Sequence, residues 1–369
     1  MSKPRYTQLV ESLPASVPFV GPETQERARG GAFSARLGAN ENVFGPSPKA
    51  IEAMQAAASD IWKYGDPTSF DLHAALADHH AIAPENIVVG EGIDGLLGYL
   101  VRMLIGPGDK VVTSDGAYPT FNYHVAGFGG TLLKTPYAGD HEDPNALLDL
   151  ADKQKAKLVY LANPDNPMGT WHEADVIESM IAKVPEGCLL ILDEAYVEFV
   201  PEGTAPKVDI NDAKVIRMRT FSKGYGMAGA RVGYALGAAD LIGQFEKIRN
   251  HFGMNRAAQA GALAALGDQG WLAHVRQQVA QGRATIGQIA KENGLSTLPS
   301  ATNFVAIDCG RDGHFAKAVL DELVANGLFV RMPFVAPQNR CIRVSAGRPE
   351  DLELLRDLLP KALSAALAR

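Results

Sequence analysis

Between residues 87 and 223 the chain repeats one pattern: a short apolar run without polar alternation, then a helix-period segment or a turn rich in Asn, Asp, Gly and Ser. The runs fall at 87–89, 110–113, 157–161, 188–192 and 215–218. A strand with no polar side to show must be buried on both faces. Runs of this kind separated by helices therefore imply a largely parallel sheet covered by helices on both faces. The segment after the first run presents Ile93, Leu96, Leu97, Leu100 and Leu104 at helical spacing, and Gly106-Pro107-Gly108 stops it. Upstream, residues 48–61 place Ile51, Met54, Ala58 and Ile61 on one helical face behind Pro48.

The pattern changes near residue 250. A long polar and alanine-rich helix at 271–293 leads to a strand at 304–307, a helix at 314–326, short strands at 328–331 and 341–344, and a closing Leu/Ala helix. Three regions are expected: an N-terminal arm (1–45) joining the small domain, a large α/β domain (46–250), and a smaller α+β domain (251–369) that includes the linking helix. A net charge of −7 argues against a nucleic-acid surface. Cys188, Cys309 and Cys341 are too few and too scattered for a disulfide framework or a metal site. No run is long enough to span a bilayer and the first residues lack an apolar signal core, so a cytoplasmic soluble enzyme is expected.

Gly90-Glu91-Gly92-Ile93-Asp94-Gly95 follows a strand and opens a helix, and Asp115 lies 20 residues beyond Gly95. Both features match a dinucleotide fingerprint, which points to a nicotinamide-dependent oxidoreductase. Either way, amides at a helix N-terminus make an anion site that any phosphate can use.

Four further segments decide which phosphate: Asn163-Pro-Asp-Asn166-Pro-Met-Gly169, Asp193-Glu-Ala-Tyr196, Thr220-Phe-Ser222-Lys223-Gly224 and Arg231. The first three each follow a buried run, and together the four fall on the carboxyl edge of the sheet, where open α/β sheets bind ligands. Their chemistry matches the needs of pyridoxal phosphate. Lys223 can form a Schiff base with the aldehyde, and Asp193 can keep the pyridine nitrogen protonated. Asn166 and Tyr196 can donate to the phenolic oxygen. Thr220, Ser222, the Ile93 and Asp94 amides and Arg231 can hold the dianionic phosphate. Phe121 is the candidate to cover the ring. Each residue alone reads more simply as a turn, cap or core position; the ordered set does not.

On these segments the chain resembles the class I/II aminotransferases of the type-I pyridoxal-phosphate fold, and within them the histidinol-phosphate aminotransferase branch. Leu37-Gly-Ala-Asn40-Glu41-Asn42, Arg217-Met-Arg-Thr-Phe-Ser-Lys-Gly and Ile342-Arg343-Val-Ser-Ala-Gly347 carry the likeness from about residue 35 to the end. The resemblance implies that Lys223 also shuttles the proton at the substrate Cα. It implies that Tyr64 reaches the phosphate of a neighbouring subunit in a homodimer, and that Arg343 clamps the substrate α-carboxylate by a two-point contact, with Arg331 needed only where the substrate carries a second anionic group. It also implies 2-oxoglutarate as acceptor. Three departures stand out: Ile93-Asp94-Gly95 for Ser-Asp-Glu, Asp165 for Asn, and the apolar run Met332-Pro333-Phe334 after Arg331. The last leaves an aromatic amino acid aminotransferase as the alternative, with a decarboxylase on the same scaffold behind it.

Overall fold

A computed structural model describes residues 4–15 and 20–369. Its strands are β1 (Ala35–Arg36), β2 (Ile87–Gly90), β3 (Lys110–Ser114), β4 (Thr131–Thr135), β5 (Leu158–Ala162), β6 (Leu189–Asp193), β7 (Val215–Thr220), β8 (Gly233–Gly237), β9 (Ser296–Thr297), β10 (Phe304–Asp308), β11 (Leu328–Phe329) and β12 (Cys341–Ser345). Seven of them form the large sheet in the order β2-β8-β7-β6-β5-β3-β4. Only β8 runs against its neighbours. The other six point the same way, so their carboxyl ends share one edge.

Alternation along the central strands shows why the sheet is covered twice. Leu158, Tyr160 and Ala162 of β5, with Leu189 and Ile191 of β6, pack with Ile93, Leu96, Leu97, Leu100 and Val101 of the helix Gly92–Leu104. Val159, Leu161, Leu190 and Leu192 face the other way, onto Leu147 and Ala151 of Pro144–Gln154 and Ile177 and Ile181 of Ala174–Ala182. Successive side chains point to opposite faces, and each finds an apolar helix.

Two strands of the large sheet escaped the sequence reading. In β4, the edge strand, only Thr135 is buried, and β8 is a five-residue run bracketed by glycines. Neither shows the solid apolar signature of its neighbours. The helix expected over 48–61 runs Pro48–Ala58, and its buried side is not the expected one. Ile51 and Ile61 are exposed, while Ala50 is buried and Met54 packs inward. The partner helix Arg256–Leu266 is made of small residues, and a Cβ on its Gly261 would come within 2.6 Å of Met54. Helices that approach this closely need small residues at the contact, and bulky Ile side chains do not fit there.

The same packing carries the core of the large domain past the boundary expected at residue 250. Ala258, Ala262, Ala265 and Leu266 belong to the core of the large domain, well past residue 250. The change of core comes within the helix Gln269–Glu292, whose Leu272 packs in that core and whose Ile286, Ile289 and Ala290 pack in the small-domain core. There β10 lies between β12 and β9, all antiparallel. The N-terminal arm joins through β1, which pairs parallel with β11. Among the described residues no helix is long and apolar enough to cross a membrane.

Sheet order also disposes of the dinucleotide reading. Four strands, β8, β7, β6 and β5, lie between β2, which carries the glycine turn, and β3, which carries Asp115. A dinucleotide fold needs those two strands adjacent, so that the acid meets the ribose. Here Asp115 instead pairs with Lys134 at 2.8 Å.

One buried charge cluster fastens the centre of the sheet to its carboxyl edge. Glu194 follows β6 and is almost fully buried. It accepts from Arg217 Nη2 at 2.7 Å and from Arg219 Nε at 2.7 Å, both on β7. Burial alone would raise its pKa, but the Arg219 and Arg217 guanidiniums hold it below the usual carboxylate value. Glu194→Gln keeps the shape and leaves two buried guanidiniums without a counter-charge. It should cost roughly 3–5 kcal/mol of stability in urea unfolding; a loss under about 1 kcal/mol would show the cluster to be dispensable.

Candidate active site

A cavity of about 450 Å³ opens at the carboxyl edge, between the large sheet and the small domain. Eleven of the thirteen residues singled out from sequence line it: Ile93, Asp94, Asn166, Asp193, Tyr196, Thr220, Ser222, Lys223, Arg231, Arg331 and Arg343. They reach it from the ends of β2, β5, β6 and β7, from the turn before β8, and from the small domain.

Asp193 is the last residue of β6 and is fully enclosed. Tyr160 donates its hydroxyl to Oδ2 at 2.5 Å, and the Ala195 amide donates to Oδ1 at 2.9 Å. Burial pushes its pKa up to about 6 against those two hydrogen bonds. Lys223 follows β7 and donates from Nζ to the Asn40 carbonyl at 2.9 Å, 5.6 Å from the Tyr196 ring centre. Burial, then the Arg343 and Arg231 charges, bring its pKa down to about 8. A buried acid and a lysine easily freed of its proton stand on adjacent strands.

The anion end is built around Gly92. The helix Gly92–Leu104 begins with no side-chain cap, so its first-turn amides are free to meet a ligand. A Cβ on Gly92 would lie 2.4 Å from Arg231 Nη2. Only glycine lets the guanidinium lie against the helix end, and Gly92 also needs its φ of +77°. Arg231 donates to Ser222 Oγ at 3.3 Å, and Ser222 Oγ accepts from Thr220 Oγ1 at 2.9 Å. The Asp94 carboxylate is taken by His124 Nε2 at 2.8 Å. A cation, two hydroxyls and uncapped amides together make a cradle for a dianionic phosphate. With Lys223 and Asp193 beside it, the residues fit pyridoxal phosphate.

Two arginines enter from the small domain. Arg331 and Arg343 exchange backbone hydrogen bonds as an isolated antiparallel bridge, which sets their side chains together. Arg343 Nη1 donates to Asn166 Oδ1 and Nη2 to the Gly38 carbonyl, while Arg331 Nη2 donates to the Val20 carbonyl. Among the described residues, the Nε of each is buried without a partner. Burial lowers both pKa values, that of Arg343 to about 10.

Two expected residues lie elsewhere. Phe121 has no exposed surface and stacks on Tyr160 at 4.8 Å and 17°; of this motif it is Tyr118, three residues earlier, that reaches the cavity wall. Tyr64 is 78% exposed beside Phe252 and does not line the cavity of its own chain. The sequence reading missed Tyr160 and gave Asn40 no role. A tyrosine inside an otherwise apolar buried strand was the available signal, because its hydroxyl must find a partner.

The position of Lys223 has a measurable consequence. Its amine is protonated below about pH 8 and free above it. The rate at which apoprotein captures pyridoxal phosphate, followed by absorbance, should rise with pH and level off above that value. At pH 7 it should be roughly a tenth of the plateau. A rate still climbing beyond pH 10 would mean that burial does not depress this lysine.

A family model described as aminotransferase class I and II matches residues 35–359. The chain is 32% identical over 348 residues to a histidinol-phosphate aminotransferase of Moorella thermoacetica, covering 93% of this chain and 89% of that one. It is 35% identical over 334 residues to histidinol-phosphate aminotransferase 2 of Pseudomonas aeruginosa, covering 89% of each. Among solved structures, it superposes with a TM-score of 0.95 on a histidinol-phosphate aminotransferase from Sinorhizobium meliloti in complex with pyridoxal-5'-phosphate. Those two chains are 50% identical, with 98% of each covered.

Proposed function

Because the chain belongs to the class I and II aminotransferases, which depend on pyridoxal phosphate, we propose that its amino donor is histidinol phosphate and its acceptor 2-oxoglutarate. The observation that carries this reading is the Arg331–Arg343 pair, in a cavity that already supplies Arg231 for a cofactor phosphate. Histidinol phosphate has no α-carboxylate, and its dianionic phosphate can take two cations. Two adjacent guanidiniums with unpartnered Nε groups suit it, and the two carboxylates of 2-oxoglutarate can use the same pair. Met332, Pro333 and Phe334 line the cavity beside them and offer an apolar wall to a flat imidazole.

Bound pyridoxal phosphate supplies an aldehyde and an electron-withdrawing ring that makes the substrate Cα–H acidic. The chain's residues do the rest. Lys223 would hold the cofactor at its aldehyde through the side-chain amine and, when free of it, would move the proton at the substrate Cα. Asp193 holds a proton at the ring nitrogen. Asn166 turns its carbonyl to Arg343, which leaves its Nδ2 to donate to the phenolic oxygen, and Tyr196 serves the same oxygen. Arg231, Ser222, Thr220 and the Ile93 and Asp94 amides bind the phosphate.

The working unit in this reading is a homodimer with shared sites. Ile61, Trp62, Tyr64, Phe70 and Phe252 are all more than half exposed and lie in two stretches joined by the Tyr64–Phe252 contact. Clustered exposed aromatics of this kind mark a contact surface, and through it Tyr64 would serve a neighbour's phosphate. Three free, buried cysteines suit the reducing cytoplasm.

Two experiments test these points. Among histidinol phosphate, phenylalanine and tyrosine, kcat/KM should be highest for histidinol phosphate. Arg331→Ala should lower that value roughly a hundredfold, as expected when one buried charge partner is removed. Equal or better use of phenylalanine, unaffected by Arg331→Ala, would overturn the substrate. Separately, mixing Tyr64→Ala with Lys223→Ala subunits should restore partial activity, because one site of each hybrid is then intact. No recovery after demonstrated subunit exchange would refute shared sites.

A further inference from the structure

Asn40 has the most constrained backbone of any residue in the cavity wall that the reaction has not yet been given a use for. It is 3% exposed and sits at φ +55°, a left-handed conformation that few residues other than glycine adopt. Such a conformation persists only where the surroundings hold it, and four hydrogen bonds do so here. Its carbonyl accepts from Lys223 Nζ at 2.9 Å and from Asn303 Nδ2 at 3.1 Å. Its Oδ1 accepts from Ser345 Oγ at 3.5 Å, and its Nδ2 donates to the Tyr196 hydroxyl at 2.9 Å.

The last bond has a direction. An amide nitrogen can only donate, so the Tyr196 oxygen must accept there and its own proton must point elsewhere. Among the described residues that hydroxyl makes no second hydrogen bond, and Tyr196 lines the cavity. We propose that Asn40 is a positioning residue that fixes the direction of the Tyr196 hydroxyl, aiming its proton at the phenolic oxygen of bound pyridoxal phosphate; this rests on Tyr196 being the residue that meets that oxygen. The carbonyl bond to Lys223 adds a second effect. Before cofactor arrives, Asn40 parks the lysine beside the tyrosine, and when the lysine leaves, Asn303 still holds the carbonyl.

A hydrogen-bond donor at the phenolic oxygen favours the form of the bound cofactor that has lost its proton. Taking the donor away should therefore raise the pH at which the cofactor's visible band changes. Asn40→Asp puts an acceptor where the amide donated, so the Tyr196 proton turns towards it. In holoenzyme, a spectrophotometric pH titration should show the midpoint rising by about one unit, the value of one hydrogen bond of this kind. Tyr196→Phe should raise it similarly, and Asn40→Asp added to Tyr196→Phe should raise it no further. An equal rise in both backgrounds would mean that the new carboxylate acts by its charge alone, and would overturn the proposal. Asn40→Gly keeps the left-handed backbone without strain and covers the case in which the carboxylate variant does not fold. It should move the midpoint upward with Tyr196 present and leave it unmoved in the Tyr196→Phe variant. If Tyr196→Phe itself leaves the band in place, the reading of Tyr196 fails. If that substitution moves the band and the Asn40 variants do not, the role of Asn40 falls.

Discussion

Six strands that run the same way must end at the same edge, and the rest of this molecule follows from that constraint. The chain reverses after β5, β6 and β7 at neighbouring points, so Asn166, Asp193 and Lys223 converge although they lie far apart in sequence. The same edge collects the free amides of the helix after β2. Convergence has an electrostatic cost, since charged groups arrive where water is excluded. Three carboxylates there are answered by partners from neighbouring elements: Glu194 by two arginines of β7, Asp193 by Tyr160 of β5, Asp94 by His124.

Those partnerships also tune the site. Lys223 is buried, lies near two guanidiniums and, among the described residues, has no carboxylate within hydrogen-bonding reach, so it gives up its proton far more readily than an exposed lysine. Asp193 keeps one hydroxyl and one amide, too few to cancel its burial. A buried acid that would become a carboxylate opposite a protonated ring nitrogen, and a lysine made ready to lose its proton, suit a cofactor with a basic nitrogen and an aldehyde. Asn166 and Asn40 show the same economy in neutral groups. Each has its amide fixed by one neighbour, Arg343 or Ser345, which decides what the other end offers.

Much of this was legible in the sequence because strand-end turns carry their chemistry locally. A buried apolar run followed by Asp-Glu-Ala-Tyr or Ser-Lys-Gly states both the edge and the group that stands on it. What depends on distant packing was not legible. Ile51 and Ile61 suit a buried helical face, yet the neighbouring alanine-rich helix comes too close to admit them. Phe121 and Tyr118 are three residues apart on the same turn, and only the stacking of Phe121 on Tyr160 decides which reaches the cavity. Gly90–Gly95 with Asp115 meets every local condition of a dinucleotide site and fails because strand order is not written in either segment. Asn40 owes its importance to β12, Asn303 and Lys223, all distant in the chain.

The helix Gln269–Glu292 is 24 residues long, with one end packed in each core. Melting either core strips the apolar face from half of a helix that the other core needs intact. An isolated helical segment of a dozen residues has little stability in water. Loss of one domain therefore propagates into the other along a single continuous backbone. The two domains share a rod rather than a tether, so each half of that helix leans on the core packed at the other end.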